Sequence, residues 1–298
     1  MNDSAIRLGY LAETVRLLYP GPGAARAYTV LPHTAVPRRL APRRWWHVWP
    51  SVMVPVEGSI SAYLSEVFGA PVETVVHVRP ARRANRKPVL EARSGGERLA
   101  FVKVGDSDRA ARLVTTEAAA LRRLAGLRLE TVVVPEVLHH GSWHGMPVLA
   151  LTPLPVRRGR VPHALLSAAV KEIAATGGPD GAWHGDLAPW NLCPSDDGRL
   201  LVWDWERYAD GVPYGFDALH YFLHRALRTM TPVTAARACL ARSVRLLAPL
   251  GVCAAQARRT ALGYLIALAD RHDADGYFPL GPPDTWLNPV VDHEELLI

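Results

Sequence analysis

A short loop near the middle of the chain carries residue types that suit phosphoryl transfer. Asp186 can accept a proton from an attacking hydroxyl, and Asn191, five residues later, offers an amide oxygen to a divalent metal. The hydrophobic run 200–203 then ends on Asp204, a hard carboxylate suited to the same metal. Transfer from a nucleotide needs a base together with oxygen ligands to the metal. These three residues therefore predict a metal-assisted site.

A predicted β-hairpin brings Asp204 back beside the loop. Its turn is Asp196-Asp197-Gly198, because an Asp-Gly pair tolerates the left-handed backbone that a tight turn requires. The second strand of this hairpin ends at Asp204, so the carboxylate is expected close to Asn191.

These residues form an ordered set that resembles a known family. The set is His184-Gly185-Asp186, Asn191 and Asp204-Trp205-Glu206. It looks like the catalytic and metal-binding loops of the aminoglycoside phosphotransferase family, which shares the protein-kinase-like fold. Two positions depart from the protein-kinase pattern, since Gly185 replaces an arginine and Trp205-Glu206 replaces Phe-Gly. Both departures favour a small-molecule substrate.

The resemblance implies an α+β, bilobal fold with a small antiparallel N-lobe and a mainly helical C-lobe. It also implies an ATP-dependent transfer of the γ-phosphate to a hydroxyl of a small molecule, with Mg²⁺ as the metal. Asp186 would be the catalytic base, and Asn191 and Asp204 would hold the metal. Glu206 would reach the metal or a substrate amine, and His184 would brace the loop.

A lysine and a glutamate upstream fit the nucleotide-binding part of the same pattern. Lys103 lies on a predicted strand on the face opposite Val102 and Val104. The resemblance implies that Lys103 grips the nucleotide phosphates and that Glu117, on the following predicted helix, orients it. A solvated strand lysine and a solvated helix-surface acid are the alternative interpretations.

The stretch between the first two predicted strands of the N-lobe, residues 80–87, contains no glycine. Protein kinases use glycine there so that backbone amides approach the phosphates. Basic side chains offer a substitute, although a solvated basic turn is an equally good interpretation. The basic residues are Arg82, Arg83, Arg86 and Lys87.

Three segments are predicted along the chain. Residues 1–70 form a helical or irregular N-terminal extension packed on the kinase domain, residues 71–153 the N-lobe, and residues 154–298 the helical C-lobe with the catalytic loop. The N-lobe sheet is predicted to have five strands, at 72–78, 88–93, 98–104, 131–134 and 146–151. The His-rich stretch 139–145 is interpreted as a connection rather than a zinc site, because it lacks a fourth ligand at a useful spacing.

Residues 43–49 combine Arg43 and Arg44 with Trp45, Trp46 and Trp49. Such residues can contact a membrane interface or a sugar. We expect them instead to pack the N-terminal extension onto its parent domain.

The amino-acid composition limits the kinds of binding partner that we expect. The 298-residue chain has 49% hydrophobic residues and a formal net charge of +6, and no apolar run approaches the roughly 18 residues of a membrane span. The basic excess raises nucleic acid as a partner, but no base-stacking or groove-reading motif accompanies it. Three widely spaced cysteines suit a reducing compartment. We expect a cytoplasmic protein that binds nucleotide and a small hydroxyl substrate, without nucleic acid and without stable membrane insertion.

Two alternatives stay open. The motifs do not separate an antibiotic kinase from a sugar, choline or amino-alcohol kinase, although the acidic residues among the last 29 are compatible with a cationic substrate. A non-catalytic nucleotide-binding scaffold is the more distant alternative. The presence of the five predicted site residues argues against it.

Overall fold

The computed structural model describes residues 3–49, 51–78, 86–157, 159–275 and 280–290. The chain divides into two compact units, the first made of residues 1–118 and 136–153 and the second of residues 119–135 and 154–298. The first contains an antiparallel sheet and the second is mainly helical. The predicted α+β class is therefore confirmed.

The structure has eight α-helices within the described residues. They are α1 (Asp3–Leu18), α2 (Ile60–Phe68), α3 (Asp108–Ala125), α4 (His163–Ala175), α5 (Phe216–Ala226), α6 (Pro232–Leu247), α7 (Ala254–Asp275) and α8 (Pro283–Trp286). Local signals explain their ends. For example, Ser59 accepts the N–H of Ala62 at the start of α2, and Gly69 ends this helix in the left-handed conformation.

The strands are short and mostly antiparallel. They are β1 (Ala25–His33), β2 (Val36–Pro42), β3 (Ser51–Pro55), β4 (Glu73–His77), β5 (Val89–Ser94), β6 (Glu97–Val104), β7 (Val132–Val133), β8 (Val137–Trp143), β9 (Met146–Leu151), β10 (Ala182–Trp183), β11 (Leu192–Pro194), β12 (Leu200–Val202) and β13 (Ala209–Asp210).

The sheet of the first unit differs from the predicted five strands. Its order is β3-β1-β2-β4-β5-β6-β9-β8, so residues 25–55 supply three of its strands. The prediction of a helical or irregular extension over residues 1–70 is therefore wrong for this segment. The His-rich stretch is also mostly strand, since β8 pairs with β9 as far as Trp143. β7 is not part of this sheet and pairs in parallel with β12 instead.

One apolar core supports the sheet. Leu11 and Leu18 of α1 and Leu64 of α2 belong to the same buried cluster as Leu90 and Val102 of β5 and β6. Burial of such side chains contributes about 1.5–3 kcal/mol each. The core fixes β6, the strand that carries Lys103.

The tryptophans of residues 43–49 do not pack as predicted. Trp45 is 92% exposed, Trp46 58% and Trp49 45%. The expectation that they anchor an extension to its parent domain is wrong.

The second unit surrounds two small sheets with helices. β11 and β12 form an antiparallel hairpin extended by β7, and β10 pairs with β13. Within the described residues no single helix is long and apolar enough to span a membrane; one pair, Pro232–Leu250 with Ala254–His272, meets the length and composition criteria only when joined across a 118° bend.

Candidate active site

Lys103 and Glu117 form a buried ion pair in the first unit. Lys103 lies on β6 between Val89 of β5 and Leu149 of β9, which pins its backbone on both sides. Its Nζ donates to the two carboxylate oxygens of Glu117 at 2.7 and 2.6 Å. Lys103 is 7% exposed and Glu117 fully buried, so neither is a solvated surface residue. The structure brings together the two residues that were predicted to pair.

The end of the basic stretch before β5 lies within the described residues. Residues 80–85, including Arg82 and Arg83, lie outside the described residues. Arg86 donates to Glu13 of α1 at 3.1 Å and lies 4.9 Å from the ring centroid of Tyr10. Lys87 is 6% exposed. The side chain of Arg86 thus contacts α1 while 41% of its surface stays exposed.

In the second unit, the carboxylate of Asp186 is fixed from two sides. Asn191 Nδ2 donates to Asp186 Oδ2 and to its backbone oxygen, both at 2.9 Å. The Nε2 atom of His220, on α5, lies 3.1 Å from Asp186 Oδ1. The side chain of Asp186 keeps 24% exposure, which leaves a path for a substrate. Asp186 and Asn191, predicted as base and metal ligand, are therefore direct neighbours.

His220 belongs to a chain of hydrogen bonds that the sequence analysis missed. Its Nδ1 lies 3.0 Å from the hydroxyl of Tyr264 on α7, so the chain runs Tyr264, His220, Asp186. A signal existed, because His220 follows Asp217 by three residues and lies on the same face of a helix.

The proton positions in this series of hydrogen bonds follow from the charge states of His220 and Asp186. Burial, together with the charge of Arg271, holds the pKa of His220 well below its ordinary value, so the ring is neutral. A neutral imidazole has one N–H. Because a carboxylate only accepts hydrogen bonds, Nε2 donates to Asp186 and Nδ1 accepts from Tyr264. Burial and the nearby charge of Asp204 raise the pKa of Asp186, which strengthens it as a base.

Asp217 holds the backbone of the loop. Its carboxylate accepts the N–H of His184 at 2.8 Å and that of Gly185 at 3.3 Å. Asp217 lies in the first turn of α5 but does not cap it, since the N-cap residue is Gly215 and no side-chain cap is formed. Its role is structural, and it acts on the catalytic loop.

Arg271 of α7 secures the same loop from another direction. Its Nη1 donates to the carbonyl oxygen of Gly185 at 2.6 Å, and its guanidinium lies 4.7 Å from the ring centroid of Trp183. A cation over an indole ring is a favourable contact. α5 and α7 together therefore set the conformation of residues 183–186.

The backbone at Gly185 leaves no room for a side chain, so an arginine cannot occupy this position. Its φ is +80°, and a Cβ there would lie 2.1 Å from the carbonyl oxygen of Arg207. We expect Gly185→Ala to lower the free energy of unfolding by about 2–5 kcal/mol, the sum of left-handed strain and overpacking. Gly198→Ala is the matched control, because φ is +83° and no atom lies within 4 Å of the added Cβ. The control should lose only about 1–2 kcal/mol. Equal losses in urea unfolding would contradict the steric explanation.

Asp217 makes stability depend on pH. Burial raises its pKa to about 7, outweighing the backbone N–H donors and the charge of Arg271. The unfolded pKa is about 3.9, so the folded state binds more protons between the two values, and this contribution to stability falls as pH rises. We expect the unfolding free energy of wild type, minus that of Asp217→Asn, to fall by up to about 1.4 kcal/mol per pH unit from about pH 4 to 7. Denaturant titrations at several pH values measure it, and a constant or rising difference would refute it.

The hairpin that carries Asp204 is confirmed. Leu192 pairs with Val202, and the turn closes through Gly198. The N–H of Trp203 donates to the carbonyl oxygen of Asn191 at 3.0 Å, which holds the two predicted metal-ligand segments together. Asp204 has φ +72°, a strained value for a residue with a side chain, and such strain concentrates at functional sites.

Trp205, which stands where protein kinases have phenylalanine, links the two loops. It is fully buried, its ring centroid lies 4.5 Å from that of His184, and its Nε1 donates to the carbonyl oxygen of Val202 at 3.0 Å. His184 is also fully buried, and its Nδ1 accepts the N–H of Asp186 at 3.1 Å. These contacts agree with a bracing role for His184.

The donor set fits magnesium. With Nδ2 of Asn191 engaged by Asp186, the amide presents Oδ1 on its other side. Asp204 adds a carboxylate, and its charge is felt at Asp186. Hard oxygen donors of this kind suit Mg²⁺ rather than softer metals. Glu206 is 6% exposed, and its predicted contact with metal or substrate remains a prediction.

Comparison with known proteins gives only distant similarity. No protein-family model matches the sequence, and no curated protein matches it. Similar solved structures include a fructosamine-3-kinase-like protein from Haemophilus somnus 129PT, with TM-score 0.47 and 14% identity over 72% of this chain and 90% of that one. The bifunctional kinase-methyltransferase WbdD has TM-score 0.36 and 16% identity over 55% of this chain and 42% of that one. The PknI kinase domain of Mycobacterium tuberculosis has TM-score 0.33 and 17% identity over 60% of this chain and 90% of that one.

The names of all three neighbours include a kinase. TM-scores below 0.5 do not carry activity, substrate or residue roles over to this chain. Membership of the aminoglycoside phosphotransferase family stays a prediction.

Proposed function

We propose that this chain is an ATP- and Mg²⁺-dependent phosphotransferase that moves the γ-phosphoryl group to a hydroxyl of a small molecule. The observation that carries the proposal is the carboxylate of Asp186, fixed by Asn191 and His220 on its two oxygens. A carboxylate immobilised in this way, partly exposed and beside two oxygen ligands for a metal, suits a base for a hydroxyl nucleophile. The buried pair of Lys103 and Glu117 supports the nucleotide-binding part of the proposal.

Asp186 orients the acceptor hydroxyl and takes its proton. Each carboxylate oxygen has two lone pairs, so the bonds from Asn191 and His220 leave capacity for the substrate O–H. In a loose transition state the proton moves late, and positioning contributes more than basicity. The hydrogen bond from His220 limits rotation of the carboxylate and so keeps it in line with the acceptor.

The other predicted site residues would stabilise the negative charge on the nucleotide phosphates. Lys103, held by Glu117, offers a fixed ammonium to nucleotide phosphates. Asn191 Oδ1 and the carboxylate of Asp204 would hold Mg²⁺, which, when bound, neutralises charge on the phosphates. The glycine-free stretch 80–87 would contribute basic side chains in place of backbone amides.

Several classes of small molecule could supply the acceptor hydroxyl. Aminoglycosides, sugars and amino alcohols all present a hydroxyl, and a cationic acceptor would be drawn to the acidic C-terminal stretch. Asp292, Glu294 and Glu295 of that stretch lie outside the described residues.

Nucleotide binding tests this function without knowledge of the acceptor. We expect calorimetric ATP affinity to fall at least tenfold when Mg²⁺ is replaced by EDTA, and Asp204→Asn to show the weak affinity even with Mg²⁺. Asp196→Asn is the control, because its side chain is 77% exposed in the hairpin turn and should leave affinity unchanged. ATP affinity independent of Mg²⁺ in the wild type would refute the assignment of the metal ligands.

A further inference from the structure

The segment 43–49 projects apolar side chains from the first unit. It joins β2 to β3, and its backbone is ordered by hydrogen bonds from Arg43 to Ala27 and from His47 to Arg44. Trp45 is 92% exposed and Val48 85%. Exposed apolar side chains that cluster in this way mark interaction surfaces more often than isolated ones do.

The neighbouring strand extends the apolar surface. β3 lies at the edge of the sheet and exposes Met53, whose register partner is Ala27 of β1, by 58%. Trp46 packs edge-on against Trp45 with ring centroids 5.5 Å apart, so the two indoles form one unit. We call residues 43–49 together with Met53 the tryptophan surface.

A basic cavity adjoins this surface. Its volume is about 960 Å³, and Trp45 and Trp46 are part of its lining. The charged residues that line it are Arg26, Arg39, Arg44, Arg93, Glu73 and Glu91. Four guanidinium groups face two carboxylates, so an excess of positive charge remains. We call this the arginine cavity.

The carboxylates of the cavity are already neutralised by neighbours. Glu73 accepts from Arg26 and Arg44, each at 2.5 Å. Glu91 accepts from Arg93 at 2.9 Å and from Arg98 at 3.0 Å, while Arg39 is 3.8 Å away and 51% exposed. Since Arg39 is the most distant of these cations from Glu91, its charge is the one best placed to meet an external anion.

We propose that the tryptophan surface and the arginine cavity form a peripheral docking site for a membrane that contains anionic phospholipid. Arginine side chains bind the headgroup phosphates, and Trp45 and Val48 enter the boundary between headgroups and acyl chains. Indoles beside guanidinium groups are the combination that this boundary favours. The segment is too short to span a bilayer, so the contact is interfacial and reversible.

The projection of the side chains favours a lipid surface over a protein partner. Protein interfaces bury their aromatic anchors in complementary pockets near the centre of a flat patch. Trp45 and Val48 instead have nearly all their surface exposed, and the cations lie in the cavity that Trp45 also lines. A lipid surface can accommodate protruding side chains without a preformed complementary pocket.

Sedimentation of the 298-residue chain with lipid vesicles tests the proposal. We expect binding to vesicles of phosphatidylcholine mixed with phosphatidylglycerol, and weak binding to phosphatidylcholine alone. Arg39→Gln/Arg43→Gln should lose about fivefold in partition for each arginine. Trp45→Ser/Val48→Ser should lose at least about tenfold. Leu127→Ser/Leu138→Ser is the matched control, because both leucines are exposed apolar residues elsewhere, at 43% and 44%, and should leave partition unchanged.

Two results would overturn the proposal. One is equal partition of wild type and Trp45→Ser/Val48→Ser, with circular dichroism showing that both are folded. The other is a wild-type chain that ignores anionic vesicles and sediments as a dimer which Trp45→Ser/Val48→Ser dissociates. The second result would assign the surface to contact between two copies of this chain.

Discussion

Lys103→Met is expected to lower the free energy of unfolding by about 3–5 kcal/mol, because it leaves the carboxylate of Glu117 buried without its partner. Glu117 is fully buried and accepts two hydrogen bonds from Lys103. Adding Glu117→Gln removes the orphaned charge, so Lys103→Met/Glu117→Gln should recover most of the loss. Urea unfolding of the four proteins in this cycle gives the coupling directly.

The same cycle separates stability from function. The double variant should be folded yet bind ATP at least tenfold more weakly than wild type, because the phosphate-binding ammonium is missing. Lys171→Met is the control, since Lys171 is an exposed lysine on α4. A folded double variant with wild-type ATP affinity would remove Lys103 from the nucleotide site.

Asp186→Asn is expected to lower the turnover number by about 10²- to 10⁴-fold while ATP affinity stays within a few-fold of wild type. The amide keeps the shape of the side chain but cannot accept the proton of the acceptor hydroxyl. The amide can accept only one of the hydrogen bonds from Asn191 and His220, but the side chain is 24% exposed, so the variant should remain folded. Steady-state kinetics with a responsive acceptor, together with calorimetry for ATP, measure the two effects.

A variant of His220 should lose less activity than Asp186→Asn, which makes it a useful comparison. His220→Asn removes the hydrogen bond to Asp186 and the link to Tyr264, so we expect a turnover loss of about tenfold without a change in ATP affinity. Asp197→Asn, in the hairpin turn, should change neither quantity. Full activity of Asp186→Asn would exclude it as the base, and full activity of His220→Asn would limit His220 to packing.

The parts of the site that lie close together in sequence were predictable. An Asp-Gly turn required a hairpin, and the hairpin placed Asp204 near Asn191, as observed through the bond from Trp203 to Asn191. Alternation along β6 placed Lys103 opposite the buried Val102 and Val104. Local rules of period and turn chemistry are sufficient for features of this kind.

Long-range contacts were not predictable from such rules. His220, Tyr264 and Arg271 reach the loop from α5 and α7, and nothing in the loop itself indicates which helical residues face it. For Asp217 the local preference of aspartate for helix starts pointed to a cap, but the backbone of His184 and Gly185 competes for its carboxylate and prevails.

The strands of residues 25–42 were not predicted because their prolines argue against a strand in the sequence. Pro32 lies opposite Pro37 at the hairpin end of β1 and β2, where the register shifts, and Pro42 ends β2. Proline cannot donate to a strand ladder and is tolerated at such ends and bulges. Composition alone therefore suggested an irregular extension where the structure has strands.

The most direct test of the proposed function is detection of the transferred phosphoryl group. Purified chain, ATP and Mg²⁺ would be incubated with aminoglycosides, sugars or amino alcohols, and products followed by ³¹P nuclear magnetic resonance. We predict a new phosphomonoester signal with one acceptor class, dependent on Mg²⁺ and lost in Asp186→Asn. A chain that binds ATP with Mg²⁺ dependence but forms no phosphomonoester with any class, and whose Asp186→Asn variant behaves identically, would contradict the account and favour a non-catalytic nucleotide-binding protein.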